Sequence, residues 1–340
     1  MAMKTDVPVP SEPGASPGGR GGRAGAARRA ATYERGSLLT RFVHAQRNRP
    51  LWMLVPTGVA ITVIVVIPVI ITVVLSLLNL DVSTLREWLG APFTGFKNFV
   101  NAFTQPNILG VSLVRSIEIS FVFSILTTVV ITPIGILAAF SVHRRFRGSG
   151  VVRAVYLVPY VIPTFVTALV ARIAFANGTG FIDQLLGDLH IANRNFYWLI
   201  GPHAFWAMQL TEIWATWPFI YLLVLAGLQA IPKEHYEAAA LDGATLPQRL
   251  RHIVLPELGG VLKLGMLLST LFHFGNFTLA FVMFSSPPPP SVEVLPINAY
   301  FNAFSSFNFG VASAIAVVTM VILIVPAYIY IRATRISEGG

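Results

Sequence analysis

The sequence predicts an all-α integral membrane protein with six membrane-spanning helices. Of its 340 residues, 54% are hydrophobic and 11% are charged, and the mean hydropathy is +0.68. In a soluble domain about 25% of the residues are charged. Six apolar stretches are each long enough to cross about 30 Å of hydrocarbon as a helix. They cover approximately residues 51–78, 113–142, 153–176, 203–230, 261–284 and 311–333.

The first 50 residues have a different composition from the rest. They are mainly Gly, Ala, Pro, Ser and Arg with almost no apolar periodicity, which is typical of a disordered basic tail. Basic tails can bind nucleic-acid phosphates, but beside a membrane helix they more often set the topology. We therefore expect no nucleic-acid partner, no cleavable signal peptide before Leu51, and a transmembrane domain over residues 51–336.

The Lys and Arg residues predict the direction in which the helices cross the membrane. Nineteen of the 24 lie in the tail, after the second span, after the fourth span or at the C-terminal end. The others are Arg86, Lys97, Arg115, Arg172 and Arg194. Because loops rich in Lys and Arg stay in the cytoplasm, both termini and the loop after the fourth span are predicted to be cytoplasmic.

A polar stretch between the fourth and fifth spans predicts two helices joined by a rigid turn. Pro232 can open the first helix, helix-favouring alanines follow, and Gly243 supplies the left-handed position that ends it. Thr245 and Gln248 have capping-box spacing, so a second helix is predicted to start there and to stop at Pro256. The second helix carries three apolar residues on one face: Leu246, Leu250 and Ile253.

This stretch resembles the EAA loop of the permease subunits of ABC importers. The resemblance rests on Glu237-Ala238-Ala239, on Gly243 and, after nine further residues, on Ile253-x-Leu255-Pro256. Asp242-Gly243-Ala244 is similar to the binding-protein-dependent carbohydrate permeases of the maltose type. We call residues 231–260 the EAA segment.

Two further motifs extend the resemblance along the chain. Gly95-x-x-Asn98-Phe99 resembles a motif that follows the first helix of sugar permeases. Gly178-x-Gly180-Phe181-Ile182-Asp183 resembles another, except that Asp183 stands where Asn is usual. The resemblance therefore covers about residues 50–335 and leaves out the tail.

The resemblance implies the type I ABC importer permease fold, in the bacterial cytoplasmic membrane. It implies a second permease subunit in a heterodimer, two ATP-binding subunits and an extracytoplasmic solute-binding protein. ATP and Mg²⁺ would be bound by the ATPase partner, so this chain would not be an enzyme. Glu237 would make the polar contact with the ATPase. The full set of ATPase-coupling residues is Glu237, Ala238, Ala239, Asp242, Gly243, Leu246, Leu250, Ile253 and Pro256.

The usual catalytic and metal-binding motifs are missing from the sequence. There is no G-x-x-x-x-G-K-[ST], and none of the four lysines follows a glycine, so the chain has no Walker A lysine. The seven histidines lack ligand spacing and there is no cysteine, so neither a metal site nor thiol chemistry is expected. Nucleophile-elbow and zinc-protease motifs are also missing.

Polar residues inside the apolar spans suggest a solute path. Glu212 and Gln209 in the fourth span, and His273 and Asn276 in the fifth, are costly in lipid unless they face a cavity or a partner. Trp206 lies nearby, and indole rings beside carboxylate and amide groups suit a sugar. We expect Glu212 to face a second permease subunit. The alternative for Trp206 is the aromatic belt at the membrane surface.

Two other functions are open at this point. A permease for polyamines, amino acids or metal ions would share the Glu-Ala-Ala and Gly spacing. A secondary carrier could use Glu118, Glu212 and His273 as a proton path, although it would leave the EAA segment unexplained and Glu118 can pair with Arg115.

Overall fold

The computed structural model describes residues 49–143, 146–191, 196–284 and 286–338. This part of the chain is almost entirely helical, with isolated antiparallel bridges between Leu78 and Phe93 and between Asp81 and Asn308. The chain divides into two compact units, residues 1–68 and 69–340. The predicted basic tail lies almost wholly outside the described residues.

The described residues of the first unit form one apolar helix. Helix α1, Arg49–Ile61, continues through a π turn, Thr62–Val66, into helix α2, Ile67–Ser76, whose last residues belong to the second unit. The most apolar 18-residue stretch of the span Leu54–Ser76 has a mean hydropathy of 3.0, and none of that stretch is buried within the chain. A helix that is apolar all round is suited to a membrane.

The described part of the second unit contains twelve further helices. They are α3 Lys97–Thr104, α4 Leu113–His143, α5 Ser149–Val161, α6 Thr164–Ala174, α7 Phe181–Asp188, α8 His203–Ala230, α9 Lys233–Leu241, α10 Leu246–Arg249, α11 Leu255–Phe274, α12 Thr278–Met283, α13 Leu295–Phe304 and α14 Phe309–Glu338. A π turn, Leu250–Val254, joins α10 to α11, and 3-10 turns lie at Leu85–Gly90 and Pro290–Val292.

The predicted six spans correspond to five long helices and one bent pair. The long helices are Leu54–Ser76, Leu113–His143, His203–Ala230, Arg251–Phe274 and Phe309–Arg332. The bent pair is α5 and α6, which meet at 87°. Ile162 between them is extended, with ψ 126°, because the ring of Pro163 disfavours a helical residue before it. The span predicted over 153–176 is therefore present as a bent pair of helices.

The fifth span begins and ends earlier than the predicted range 261–284. Pro256 does not stop the helix as predicted. It lies in the first turn of α11, and the π turn Leu250–Val254 before it keeps the backbone helical. The helix ends at Phe274, and α12 is a separate short helix.

Close helix contacts at small residues hold the bundle together. A Cβ added to Gly135 of α4 would lie 2.7 Å from the backbone nitrogen of Tyr221, so α4 and α8 are in backbone contact. A Cβ added to Gly265 of α11 would lie 2.8 Å from Leu223 Cδ1. Approach of this kind is typical of membrane helices, whose packing depends on van der Waals contact rather than on hydrophobic burial.

Two buried apolar clusters lie at opposite ends of α4 and α8. The EAA-end cluster consists of Ile131, Ala139, Val142, Ile220, Tyr221, Val224, Leu225, Leu228, Ile231, Val254 and Leu258. The far-end cluster includes Ile119, Phe123, Ala168, Ala171, Ala204, Ala207, Met208, Leu279, Ala280 and Met283. The buried polar residues of α8 and α11 lie along the chain between these two clusters.

Candidate functional site

The turn of the EAA segment has the predicted geometry. Gly243 has φ +67°, which is the left-handed conformation expected of it. The N–H of Ala244 donates to the carbonyl of Ala239 at 2.9 Å, the six-to-one bond of a Schellman motif. The N–H of Thr245 donates to Gln248 Oε1 at 2.7 Å, which is one half of the predicted capping box. Both turn signals are therefore confirmed.

The outer surface of this turn is exposed. Glu237, Ala238, Asp242 and Gly243 are exposed in the chain, and Leu241 is 89% exposed. Leu241 thus leaves an apolar side chain open beside the exposed Asp242. Leu241 was not among the predicted coupling residues, although its place just before Asp242-Gly243 could have indicated it.

A groove of about 350 Å³ lies between α9 and the start of α11. It is lined by His235, Ala238, Ala239, Asp242, His252, Ile253, Pro256 and Glu257. His235 Nδ1 lies 3.4 Å from Glu257 Oε1 across it, so this half-exposed pair joins the two helices. Ile253 and Pro256 thus lie beside the predicted motif residues, whereas the side chains of Leu246 and Leu250 are outside those that the structure describes.

The carboxylate of Glu212 is the centre of a buried polar cluster. Glu212 is 4% exposed, and His273 Nδ1 lies 2.7 Å from its Oε1. Asn276 Nδ2 donates to both carboxylate oxygens at 3.0 Å. Each oxygen therefore has a partner, which is the usual condition for burying a charge. The sequence suggested that Glu212 faces a second permease subunit, but helices of its own chain enclose it.

The cluster continues from His273 to α4. Ser269 Oγ lies 3.0 Å from His273 Nε2, and Thr128 Oγ1 donates to Ser269 Oγ at 3.4 Å. With Glu212 as the acceptor at Nδ1, the Nδ1–H tautomer of His273 accepts from Ser269 at Nε2. We call Glu212, His273, Asn276, Ser269 and Thr128 the Glu212 cluster. Ser269 and Thr128 were not predicted, although both are polar residues inside apolar spans.

The other predicted path residues lie around this cluster in two different settings. Gln209 is 1% exposed and donates to Thr127 Oγ1 at 2.6 Å, while its Oε1 has no hydrogen-bond partner among the described residues. Trp206 is 53% exposed, on the face of α8 that also carries Leu210 and Trp214. The structure therefore brings Glu212, His273 and Asn276 together and places Trp206 on the surface.

Glu118 is not part of the Glu212 cluster. It pairs with Arg115 at 2.7 Å, and both side chains are more than half exposed. A proton path through Glu118, Glu212 and His273 therefore has no continuous hydrogen-bonded route among the described residues.

A match to a known family now decides what kind of protein this is. The family described as "Binding-protein-dependent transport system inner membrane component" matches residues 131–334, a range that includes the EAA segment and the Glu212 cluster apart from Thr128. This chain belongs to that family. It is a multi-pass membrane permease, and the carrier alternative is not favoured.

Individual relatives cover almost the whole permease. The chain is 31% identical over 300 residues to the trehalose/maltose transport system permease protein MalF of Thermococcus litoralis, covering 88% of this chain and 98% of that protein. It is 28% identical to the sulfoquinovosyl glycerol transport system permease protein SmoG of Agrobacterium fabrum, covering 84% of this chain and 90% of that protein.

A solved structure shares the fold of the permease. It is a bacterial alginate ABC transporter in complex with an alginate pentasaccharide-bound periplasmic protein. The TM-score is 0.68 with 20% sequence identity, over 84% of this chain and 93% of the matched one. The type I ABC importer permease fold implied by the sequence resemblance is confirmed.

Two residues of the sequence motifs have structural roles in the permease. Asn98 is buried and donates to the carbonyls of Ser76 and Leu78 at 2.9 and 2.8 Å, which fixes the chain after α2. Asp183 is 1% exposed and accepts from the N–H groups of Gly178 and Phe196 and from Trp198 Nε1. Both of its oxygens accept hydrogen bonds, and an Asn side chain, with one acceptor oxygen, could not do this.

The permease also contains a buried carboxylate that sequence reasoning missed. Glu293, before α13, is fully buried and accepts from the side-chain amides of Asn107 and Asn298 at Oε1. Its Oε2 has no partner among the described residues. Burial raises the pKa of Glu293 to about 7, against the two hydrogen bonds, which lower it. The local sequence Ser291-Val292-Glu293-Val294 carries no signal of this burial.

Proposed function

We propose that this permease forms half of the translocation pathway for a carbohydrate. The observation that best supports this is the similarity over nearly its full length to a permease named for trehalose and maltose. The sulfoquinovosyl glycerol relative and the fold shared with the alginate transporter agree with a sugar, an oligosaccharide or a similar polyol-like solute. A polyamine, amino-acid or metal-ion permease finds no such support among these relatives.

The partners follow from the same proposal. The solute is delivered by an external binding protein, and a second, non-identical permease subunit completes the pathway. Two separate subunits bind ATP and Mg²⁺ and hydrolyse the ATP, so the permease itself is not catalytic. The absence of a Walker A motif in the sequence supports this division of labour.

We assign contact with the ATP-binding subunits to the EAA segment. The exposed carboxylate of Glu237 and the open side chain of Leu241 both lie on α9, just before the left-handed turn at Gly243. The helices on both sides of this turn lead into the membrane region, so movement of the turn reaches the pathway. Alternating access then follows from ATP-driven closure of the ATPase pair.

For the solute path we assign direct contact to Trp206. Trp206 is exposed, whereas Gln209, Glu212 and His273 are buried and the amide of Asn276 is already bonded to Glu212 and Leu279. An indole face can stack on a sugar ring. Trp206→Ala should reduce uptake several-fold, while Tyr328→Ala, which removes an exposed aromatic on α14, should leave uptake unchanged.

Reconstitution tests the proposed function. Proteoliposomes holding the permease with its partner subunits should accumulate radiolabelled trehalose, maltose or another carbohydrate only with ATP inside and binding protein outside. ATP-dependent uptake of an amino acid or a polyamine, with no carbohydrate transported, would overturn the solute class. Uptake that continues without the ATP-binding subunits would overturn the ATP-driven mechanism.

The topology is part of the same proposal. The excess of Lys and Arg supports cytoplasmic termini and a cytoplasmic EAA segment. The chain has no cysteine, so Ser37→Cys and Ser291→Cys each create a single reactive site. An impermeant thiol reagent added to intact cells should label only the Ser291→Cys variant. Labelling of the Ser37→Cys variant from outside would contradict this topology.

A further inference from the structure

One helix runs without interruption from the turn of the EAA segment deep into the bundle. It consists of Leu246–Arg249, the π turn Leu250–Val254 and Leu255–Phe274. At about 1.5 Å per residue it is roughly 40 Å long. It ends at Gly275, whose N–H returns to the carbonyl of Leu271 at 3.2 Å, and the next helix, α12, starts at Thr278. A displacement of the turn is therefore carried along this helix to the break at 275–277.

The Glu212 carboxylate holds both sides of that break. His273 belongs to the last turn of α11, and Asn276 lies within the break itself. Asn276 also accepts from the N–H of Leu279 at 3.2 Å, in the first turn of α12. Because this bond uses Oδ1, the amide nitrogen must point to Glu212, where it donates to both carboxylate oxygens. A single side chain of α8 thus connects the end of α11 to the start of α12.

The helices on each side of the break pack into different parts of the bundle. Leu258 and Val254, within the EAA segment, belong to the EAA-end cluster. Leu279, Ala280 and Met283 of α12 belong to the far-end cluster, together with Ala168 and Ala171 of α6. The break at 275–277 therefore decides whether a movement of α11 in the EAA-end cluster is transmitted to α12 in the far-end cluster.

The helix that carries Glu212, α8, is held in place by close contacts with its neighbours. The backbone of α8 touches α4 at Gly135, and the side chains of Ile220 and Leu223 of α8 contact α11 at Gly265. Irregular backbone at membrane depth persists only where its polar groups are satisfied by protein or by a cavity. Among the described residues, the hydrogen bonds that join the break to α8 are those from Asn276 to the Glu212 carboxylate.

We propose that Glu212 is a positioning residue for transport: it fixes the break at 275–277, so that movement of the EAA segment is transmitted through α11 to α12. This inference rests on the proposed role of the EAA segment as the contact with the ATP-binding subunits. Without Glu212, α11 still moves with the ATPase, but α12 and the far-end cluster no longer follow.

Exchanging the carboxylate of Glu212 with the amide of Asn276 tests the hydrogen bonds between these two side chains. Glu212→Gln and Asn276→Asp should each lower the number of solutes imported per ATP hydrolysed by about fivefold or more. The double variant E212Q/N276D restores an amide facing a carboxylate and should return this ratio to within about twofold of wild type. Thr319→Val, whose hydroxyl donates to the carbonyl of Ile315 within α14, is the control and should keep the wild-type ratio.

Spin-label distances separate transmission from folding. With Leu137→Cys on α4 as reference, a second label replaces either Leu255 on α11 or Phe281 on α12, all three being exposed in the chain. In the reconstituted wild-type complex, both distances should change when ATP is trapped. In Glu212→Gln the Leu137–Leu255 change should persist and the Leu137–Phe281 change should be lost.

The outcomes distinguish the inference from the proposed function. If both distances still respond to ATP in Glu212→Gln, or if the double variant is as uncoupled as the single ones, Glu212 does not transmit the movement. If neither distance responds to ATP in the wild type, the proposed coupling through the EAA segment fails and this inference fails with it.

Discussion

Two glutamates of this permease are in opposite settings. Glu212, inside the bundle, is 4% exposed and has a partner for each oxygen in His273 and Asn276. Glu237, on the EAA segment, is exposed beside an open Leu241. The comparison separates polar groups that this chain satisfies internally from those that it presents to another polypeptide. The first kind should determine stability, and the second should determine assembly.

The largest expected effect is from removal of the buried carboxylate. Glu212→Ala should lower the free energy of unfolding by about 3–5 kcal/mol, because His273 and Asn276 lose their acceptor inside the bundle. Thermal unfolding of the purified complex in detergent, followed by tryptophan fluorescence, measures the change. An unfolding temperature equal to that of wild type would show that the cluster does not stabilise the fold.

Glu293 is a third case, a buried carboxylate that is only partly satisfied. Its pKa of about 7 in the folded protein compares with an ordinary value of 4.5. The folded state therefore holds a proton that the unfolded state releases, and stability should fall by about 3 kcal/mol as the pH rises from 4.5 through 7.

Replacement of this carboxylate by an amide tests the pH effect. Glu293→Gln cannot ionise, so its unfolding temperature should change less between pH 5 and pH 8 and should exceed that of wild type at pH 8. Parallel curves for the two proteins would contradict a proton on Glu293.

Within the EAA segment, a substitution at the Gly243 turn is expected to have a larger effect on the protein than removal of the exposed Glu237 carboxylate. Gly243→Val should add roughly 1–3 kcal/mol of local backbone strain, because a β-branched residue cannot easily adopt φ +67°. Membrane insertion should persist while import and association with the ATP-binding subunits fall. Gly148→Val, at φ +87° in the turn before α5, adds similar strain elsewhere and should preserve import. Wild-type import by Gly243→Val would show that the turn is not the coupling element.

The smallest effect on stability is expected at the exposed carboxylate. Glu237→Ala should change the free energy of unfolding by less than about 0.5 kcal/mol, since an exposed side chain leaves no buried partner behind. Copurification of the ATP-binding subunits should nevertheless decrease, and Glu234→Ala, one turn earlier on α9, should have less effect. If both variants copurify these subunits as well as wild type does, Glu237 does not contact them.

The sequence by itself determined the features that depend on neighbouring residues and on composition. The apolar spans follow from length and hydropathy, and the turn at Gly243 follows from a glycine between helix-favouring residues and a capping pair. The same reasoning from neighbouring residues could not predict whether a helix ends or continues at Pro256, because a proline is equally suited to end one helix or to begin the next. The π turn that joins α10 to α11 decided this in favour of continuity.

Only the tertiary structure decided which polar residues meet. Glu212 and His273 are 61 positions apart, and Glu293 and Asn107 are 186 apart. Their spacing along the chain contains no information about these bonds, since the close approach of α4, α8 and α11 at glycines sets which faces touch. The sequence identified Glu212 as costly in lipid, but helix packing determined that its own chain, rather than a partner, satisfies it.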